Sequence, residues 1–397
     1  MGNASDHAIL SPSGASRWLA CTPSARLEQQ FPNNESDAAA EGTLAHALGE
    51  AKIRLKAGMI DIEEYTKIRC EICTFIYYSA EMESLTDDYA DYVIEQYNNA
   101  KAHTKDAVLL VESKLDLTEY VPEGFGTGDV IIIADSVLDF IDLKYGKGVP
   151  VSAVENKQMM LYALGALHAY GFMYDIHTVR MTIYQPRIDN ISTYEMSVMD
   201  LYEWAEKELK PKAQLAFNGE GKFNPGNACR FCRAKAVCKA NADYNLQLAK
   251  YDFMDPKLLS DEEITDVLTR SDNFTNWLKA VNDHALLEAA NGKKFPGYKL
   301  VEGRSNRTYT DADKIFTVLT TEAKIEASKI TEPVKLLPIT KLEKAISKQL
   351  FANYVSPYVV KPQGKPTLVP ESDKRPELSS VDSAALDFAH VTNEELL

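Results

Sequence analysis

Gly126-Thr127-Gly128-Asp129-Val130-Ile131-Ile132-Ile133 and, shortly after, Phe140-Ile141-Asp142-Leu143-Lys144 decide how this chain is read. Both are short, rich in branched and aromatic residues, and bounded by turn formers, which is the pattern of strands. The Asp135-Ser136 pair between them suits a tight hairpin turn. Asp129 begins one strand. Asp142 and Lys144 stand two apart on the next and therefore point to the same side of the sheet. A hairpin carries Asp129 toward Asp142, so two carboxylates and an amine converge at one sheet end. Converging carboxylates repel unless a cation lies between them, and hard oxygen donors suit Mg²⁺ or Mn²⁺. Such an ion polarises a phosphate oxygen and acidifies water. Lys144 could orient that water or offset charge developing on the phosphate. Asp-x-Lys alone also fits ordinary solvent-facing charges on an edge strand.

Working outward, Ala107 to Leu115 reads as a strand before the hairpin, residues 152–172 as a helix after it, 176–184 as a strand and 197–217 as a helix. Upstream, Leu44, Ala47, Leu48, Ala51 and Leu55 fall at helical spacing within residues 38–57. Residues 61–79 and 83–104 read as two more helices, and Ser13 as the cap of a short one that ends near Cys21. Helices, three strands, helix, strand, helix make a mixed α/β core. His46 lies on the helix 38–57, and Gln158 and Tyr162 share one face of the helix 152–172. Gly124-x-Gly126-x-Gly128 leads into a strand rather than a helix, so it lacks the dinucleotide-binding context. The absence of Gly-x-x-x-x-Gly-Lys-Ser/Thr excludes a P-loop helicase.

The chain has 397 residues, 45% hydrophobic and 25% charged, the balance of a soluble globular protein of two or three domains. Its net charge of −15 excludes a uniformly basic coat for nucleic acid but leaves room for a local basic channel. Met1 to Leu10 has no basic and then apolar stretch, which predicts no signal peptide. No apolar run approaches the ~20 residues of a bilayer span, so a cytoplasmic protein with no membrane partner is expected. The expected domains are 1–240, a helical extension at 241–305, a small α-rich domain at 306–370 and an acidic flexible tail at 371–397. In the third, Thr310 and Asp313 mark one helix start, and Thr340 with Glu343 forms a capping box for a helix reaching about Tyr354.

Six cysteines in such a chain are not expected to pair as disulfides. Cys229, Cys232 and Cys238 cluster, and Cys21 stands far upstream, a set that points to metal or cluster ligation. Thiolates suit both zinc and iron–sulfur clusters. Cys70 and Cys73 sit one helical turn apart and read as small buried residues.

Cys21, His46, Gly126-x-x-Asp129, Asp142-x-Lys144, Gln158-x-x-x-Tyr162 and Cys229-x2-Cys232-x5-Cys238, in that order, resemble the RecB-type branch of the PD-(D/E)XK nucleases. They resemble in particular its iron–sulfur members, over about residues 10–240. The fuller stretch from Asp142-Leu-Lys-Tyr-Gly-Lys-Gly through Gln158-Met-Met-Leu-Tyr162 resembles more closely a family encoded in phages and prophages. That likeness extends into Gly297–Arg304 and Gly364–Pro370. The resemblance implies a restriction-endonuclease-like α/β fold, with a mixed sheet flanked by helices, an iron–sulfur staple and a mostly helical C-terminal extension. It implies His46, Asp129 and Asp142 as ligands of Mg²⁺ or Mn²⁺, with the Leu143 carbonyl beside them, and Lys144 as the catalytic lysine. Gln158 and Tyr162 would hold DNA or neighbouring groups of the site. Cys21, Cys229, Cys232 and Cys238 would hold a [4Fe–4S] cluster, with zinc left open by the spacing. The implied activity is a metal-dependent DNA exonuclease acting on single strands or free ends in phage recombination, replication or end processing. Its partners would include a helicase, single-strand-binding or annealing protein. A catalytically silent DNA-binding scaffold is the alternative. Asp142 stands where glutamate is commoner, and Glu112, on the first strand, could support the site, though its match is loose. Glu41 and Glu50 read as solvent-facing charges, and Arg187, beside a turn proline, as a solvated one.

Overall fold

The computed structural model describes residues 8–32, 37–148, 150–247, 260–303, 307–332, 335–337, 339–346, 348–360, 362, 366–370 and 376–378. The chain divides into two units, Met1–Trp277 and Leu278–Leu397.

The first unit opens with helices α1 (Ala15–Ala20), α2 (Ser24–Glu28), α3 (Asp37–Lys56), α4 (Ile62–Ile72) and α5 (Ala80–His103). Five strands follow: β1 (Val108–Asp116), β2 (Phe125–Ala134), β3 (Ser136–Leu143), β4 (Ile176–Gln185) and β5 (Asn190–Ser197). They form one sheet in the order β1-β2-β3-β4-β5. All neighbours are antiparallel except β3 and β4, whose parallel pairing is made by a crossover through α6 (Lys157–Tyr170). Every residue of α6 from Met159 to Leu167 is buried. With Trp18 and Leu19 it covers Ile131, Ile133, Phe140, Val179 and Met181 on one sheet face. On the other face, Ile53 of α3 and Tyr89 and Val93 of α5 cover Val130, Ile132, Ile141 and Leu143. The sheet is therefore the middle of three layers.

Several boundaries differ from the sequence reading, each for a local reason. β2 starts at Phe125, so the glycine run is strand rather than connection. A Cβ at Gly128 would sit 2.7 Å from the Phe140 ring, and one at Gly126 2.9 Å from Tyr162, so these strand positions exclude side chains. α6 starts only at Lys157, because the Asn156 side chain caps it, accepting from the N–H groups of Gln158 and Met159. The helix expected at 197–217 is α7 (Val198–Trp204), one wide π turn at Ala205–Leu209, and α8 (Lys210–Asn218). Pro211 has no N–H and crowds the preceding turn, which is where the helix widens. β5 was not expected. Its exposed face alternates Ile191, Thr193 and Glu195 along a sheet edge, a weak signal. Cys70 and Cys73 are exposed, not buried. Helix α9 (Lys239–Leu246) follows the cysteine cluster, and α10 (Asp261–Ala290) follows it in turn.

In the second unit, Ile315, Leu319, Ile330, Leu342, Phe351 and Val355 form a small core. Helix Ala312–Thr321 is capped by Asp311, whose carboxylate accepts from the Lys314 N–H at 2.8 Å. Thr340 lies one residue inside helix Ile339–Ala345 rather than just before it. β6 (Tyr298–Glu302) pairs antiparallel with strand Pro366–Pro370. The tail expected at 371–397 lies outside the described residues except for 376–378, as do Arg304 and Gly364-Lys365. Among the described residues no helix is long and apolar enough to cross a membrane.

Candidate active site

The antiparallel register of β2 on β3 pairs Val130 with Ile141 and so sets Asp129 opposite Asp142 at the sheet end, as the hairpin requires. Asp129 Oδ2 accepts from the Leu143 N–H at 2.8 Å and lies 3.2 Å from His46 Nδ1 on α3. Lys144 Nζ lies 2.8 Å from Asp142 Oδ2 and donates to Gln158 Oε1 at 3.2 Å. Gln158 Nε2 in turn donates to Asp142 Oδ1 at 3.4 Å. The Lys144 N–H donates to the Tyr184 carbonyl at 2.8 Å, which fixes the chain just past β3. Tyr162, one turn beyond Gln158, stacks on Phe140 with ring centroids 5.1 Å apart and lines the wall behind the carboxylates. His46, Asp129, Asp142, Leu143, Lys144, Gln158 and Tyr162 are thus gathered at one place.

Glu112 joins them through a distortion that periodicity does not reveal. On β1, Leu109 and Val111 pack on the α3–α5 side, yet Leu115, of the same parity, packs on the α6 side. On β2, Val130 and Ile132 face α3–α5, yet Gly128 faces Phe140 and Leu115. Both strands change face at one cross-strand position, Glu112 against Asp129, between the pairs Val111–Val130 and Ser113–Gly128. Glu112 takes φ +51°, the left-handed region, which costs a non-glycine residue roughly 1–3 kcal/mol. The result is that ligand atoms of His46, Glu112 and Asp129 lie within 4.8 Å of one another. An imidazole with carboxylates suits a borderline-hard divalent ion such as Mn²⁺ or Mg²⁺, and the neighbouring Asp142 adds a further oxygen.

The electrostatics show how these charges coexist without an ion. Burial opposes the His46 cation, but Asp129 beside it lifts its pKa to about 9. Burial also opposes the Asp129 carboxylate, and His46, Lys144 and the Leu143 N–H together hold it below its ordinary value. Burial raises Asp142, with Asp129 adding to the rise and Lys144 opposing it. Burial, then Asp129 and Glu50, push Glu112 up to about 7.

Tyr89 escaped the sequence reading, and Arg187 and Glu41 take other places than it gave them. The Tyr89 hydroxyl is buried without a hydrogen-bond partner and feels Asp129, Asp142 and Glu112. Arg187, expected to be solvated, is buried, with a side-chain exposure of 6%. It donates to Glu41 on α3 and Glu81 on α5, each at 2.8 Å, and lies 4.6 Å over the Tyr145 ring. It therefore ties the helix that carries His46 to the segment that follows Lys144, and Glu41 is a partner in that tie. Glu50 pairs with Arg54 at 2.7 Å along α3.

The four cysteines Cys21, Cys229, Cys232 and Cys238 line a single cavity. Cys21 ends α1, Cys238 caps α9, and Cys229 and Cys232 lie on the turn between them. The Asn224 and Gly226 N–H groups point at the sulfurs of Cys21 and Cys229, at 3.5 and 3.4 Å. Burial pushes the Cys232 thiol up to about 12. Among the described residues, His46, Glu112 and Asp129 are the set of donors within 4.8 Å of one another, so the sulfurs are spread more widely. The surrounding segments are stitched together without them. Thr22 Oγ1 donates to the Glu220 carbonyl at 2.6 Å, Asn224 Nδ2 to the Ala20 carbonyl at 3.1 Å, and the Arg233 N–H to Glu28 Oε1 at 2.7 Å.

Residues 7–376 match the model of DUF2800, a family of proteins of unknown function. The chain belongs to that family. Two solved structures resemble this DUF2800 member at low levels. One is from Eubacterium rectale and provisionally assigned as an exonuclease; it is 13% identical, with a TM-score of 0.31, over 67% of this chain and 98% of its own. The other, SSO0001, is 12% identical, with a TM-score of 0.24, over 55% of this chain and 95% of its own. At these values neither likeness decides the chemistry.

Proposed function

We propose that this chain is a metal-dependent DNA nuclease with a restriction-endonuclease-like core, acting as an exonuclease on single strands or free ends. One observation carries the reading: His46, Glu112, Asp129, Asp142 and Lys144, from a helix and three strands, converge at one sheet end and are held by Leu143 and Gln158. A divalent cation bound there would polarise a phosphodiester oxygen and acidify a water. The chain's own residues supply the rest. Asp129 and Asp142, on paired strands, present oxygens to one side of the site, and the Leu143 carbonyl would add another. Gln158 braces Lys144 and Asp142 together, so the ammonium is fixed where negative charge develops on the phosphate. Tyr162 shapes the wall on the α6 side.

The four cysteines are proposed to hold a [4Fe–4S] cluster as a structural staple. Zinc is the alternative occupant, since four thiolates suit both groups. A role in phage DNA recombination or end processing, in the cytoplasm and beside a helicase, single-strand-binding or annealing protein, belongs to the same proposal and rests on the sequence resemblance.

Purified protein should shorten end-labelled linear DNA with Mn²⁺ or Mg²⁺ and stop in chelator. Asp142→Asn or Lys144→Ala should each slow this by about 100-fold or more, with the fold intact by circular dichroism. Cleavage that survives both substitutions would refute the site. DNA binding with no metal-dependent cleavage would make the chain a scaffold instead.

A further inference from the structure

Charge is divided unevenly along the chain. Residues 1–277 carry 26 lysines and arginines against 42 acids, a net of −16, whereas residues 278–370 carry 15 against 9, a net of +6. Within the second unit, the turn after α10 and the segment Glu377-Leu378 enclose a cavity of ≈ 370 Å³. That is the size class of small-ligand pockets. Lys293, Lys294 and Lys299 line it together with Phe295 and Tyr298. The backbone builds the turn for this purpose. Gly292 and Gly297 take φ +92° and +84°, conformations that favour glycine, and the Tyr298 N–H closes the turn on the Phe295 carbonyl at 3.0 Å. β6 then anchors one wall through pairing with Pro366–Pro370, and the Leu378 N–H donates to the Leu300 carbonyl at 2.7 Å.

The lining is unsatisfied in two ways at once. Lys293 pairs with Glu288 at 3.1 Å, but Lys294 and Lys299 have no acidic partner among the described residues. Glu377 is the acid on the rim, outnumbered by three lysines. Tyr298 leaves 51% of its surface exposed beside them. A ligand that answers both needs carries anionic groups and flat aromatic faces together, spaced along a strand. An acidic peptide would meet the lysines and leave the ring in water.

We propose that this cleft binds a single-stranded nucleic-acid segment, with phosphates on Lys294 and Lys299 and a base stacked on Tyr298. The proposal deepens the nuclease reading by placing a strand-holding site in the second unit, and its test needs no cleavage. Full-length protein is titrated against a fluorescent oligothymidylate in chelator, and anisotropy is read at several salt concentrations. Lys294→Glu with Lys299→Glu should weaken binding by about tenfold or more and lower the slope of log affinity against log salt by about 1.4, two phosphate contacts at ~0.7 each. Tyr298→Ala should weaken binding by about tenfold and leave the slope unchanged. Unchanged affinity and slope in the double variant would overturn the proposal. If the variants fail to fold, an iodouracil-substituted strand crosslinked to the unmodified protein should mark peptides containing Phe295 or Tyr298. Crosslinks confined to residues 8–247 would overturn it. Intact binding without metal-dependent cleavage would sink the nuclease reading alone, and cleavage with the cleft variants unaltered in binding would sink the cleft alone.

Discussion

The carboxylate corner and the cysteine corner of the first unit are built in opposite ways. The carboxylates come from three consecutive strands, Glu112 on β1, Asp129 on β2 and Asp142 on β3, and charges are balanced in place by His46, Lys144 and the Leu143 N–H. The cysteines come from segments about two hundred residues apart, and burial raises the thiol pKa of Cys229 and of Cys232. The first corner sets each acid against a nearby donor or cation. The second is mechanically assembled by hydrogen bonds but offers ligands that become thiolates only when something binds them. One is poised for exchange and the other for permanence.

Four experiments probe that contrast. The largest effect is expected at the strut behind the carboxylates. Arg187→Ala removes the partner of Glu41 and the cover of the Tyr145 ring and should cost about 2 kcal/mol of stability in chemical denaturation, the scale of one charge-assisted hydrogen bond, while Glu81, half exposed and also beside Lys147, adds little. A loss under ~0.5 kcal/mol would mean that Arg187 holds nothing. Next comes pH. An ion binds neutral His46 and ionised Glu112, whose metal-free pKa values are about 9 and about 7. Below about 7 both protons must leave, and from about 7 to 9 only that of His46, so Mn²⁺ affinity should rise roughly tenfold per pH unit across that interval and then level off. Calorimetry in buffers of different ionisation enthalpy counts the released protons, and a flat profile would remove His46 from the ligands. At the other corner, Cys232→Ser in anaerobically prepared protein should bleach its colour and cost roughly 2 kcal/mol, the scale of a lost cross-link, while leaving Mn²⁺ affinity alone. The smallest effect is at Glu112→Gly. It relieves the left-handed strain and should stabilise the metal-free protein by about 1 kcal/mol while weakening Mn²⁺ binding. Destabilisation would show that the strain is not stored there.

The hairpin was legible because the Val/Ile run, the Asp135-Ser136 turn and the two-residue spacing of Asp142 and Lys144 all act over a few residues. Gln158 was legible for the same reason, one helix downstream. Glu112 was not, because a single residue at φ +51° changes which face the strand presents, and alternation carries no trace of it. Arg187 was opaque because its partners Glu41 and Glu81 lie 146 and 106 residues away. Thr340 with Glu343 matched a capping pattern, yet the helix begins one residue earlier and absorbs it. The basic character of residues 278–370 stood in the sequence throughout, masked by the acids on either side.

The tie between Thr22 and Glu220 also sets a schedule for the ribosome. These partners are 198 residues apart. At a synthesis rate of ~5–20 residues per second, Thr22 waits roughly 10–40 s for its acceptor to be made. During that interval Trp18 and Leu19, buried in the finished protein, lack part of their cover. The leading helices thus settle only after most of the first unit has been made, and a nascent chain caught before Glu220 should present them to chaperones.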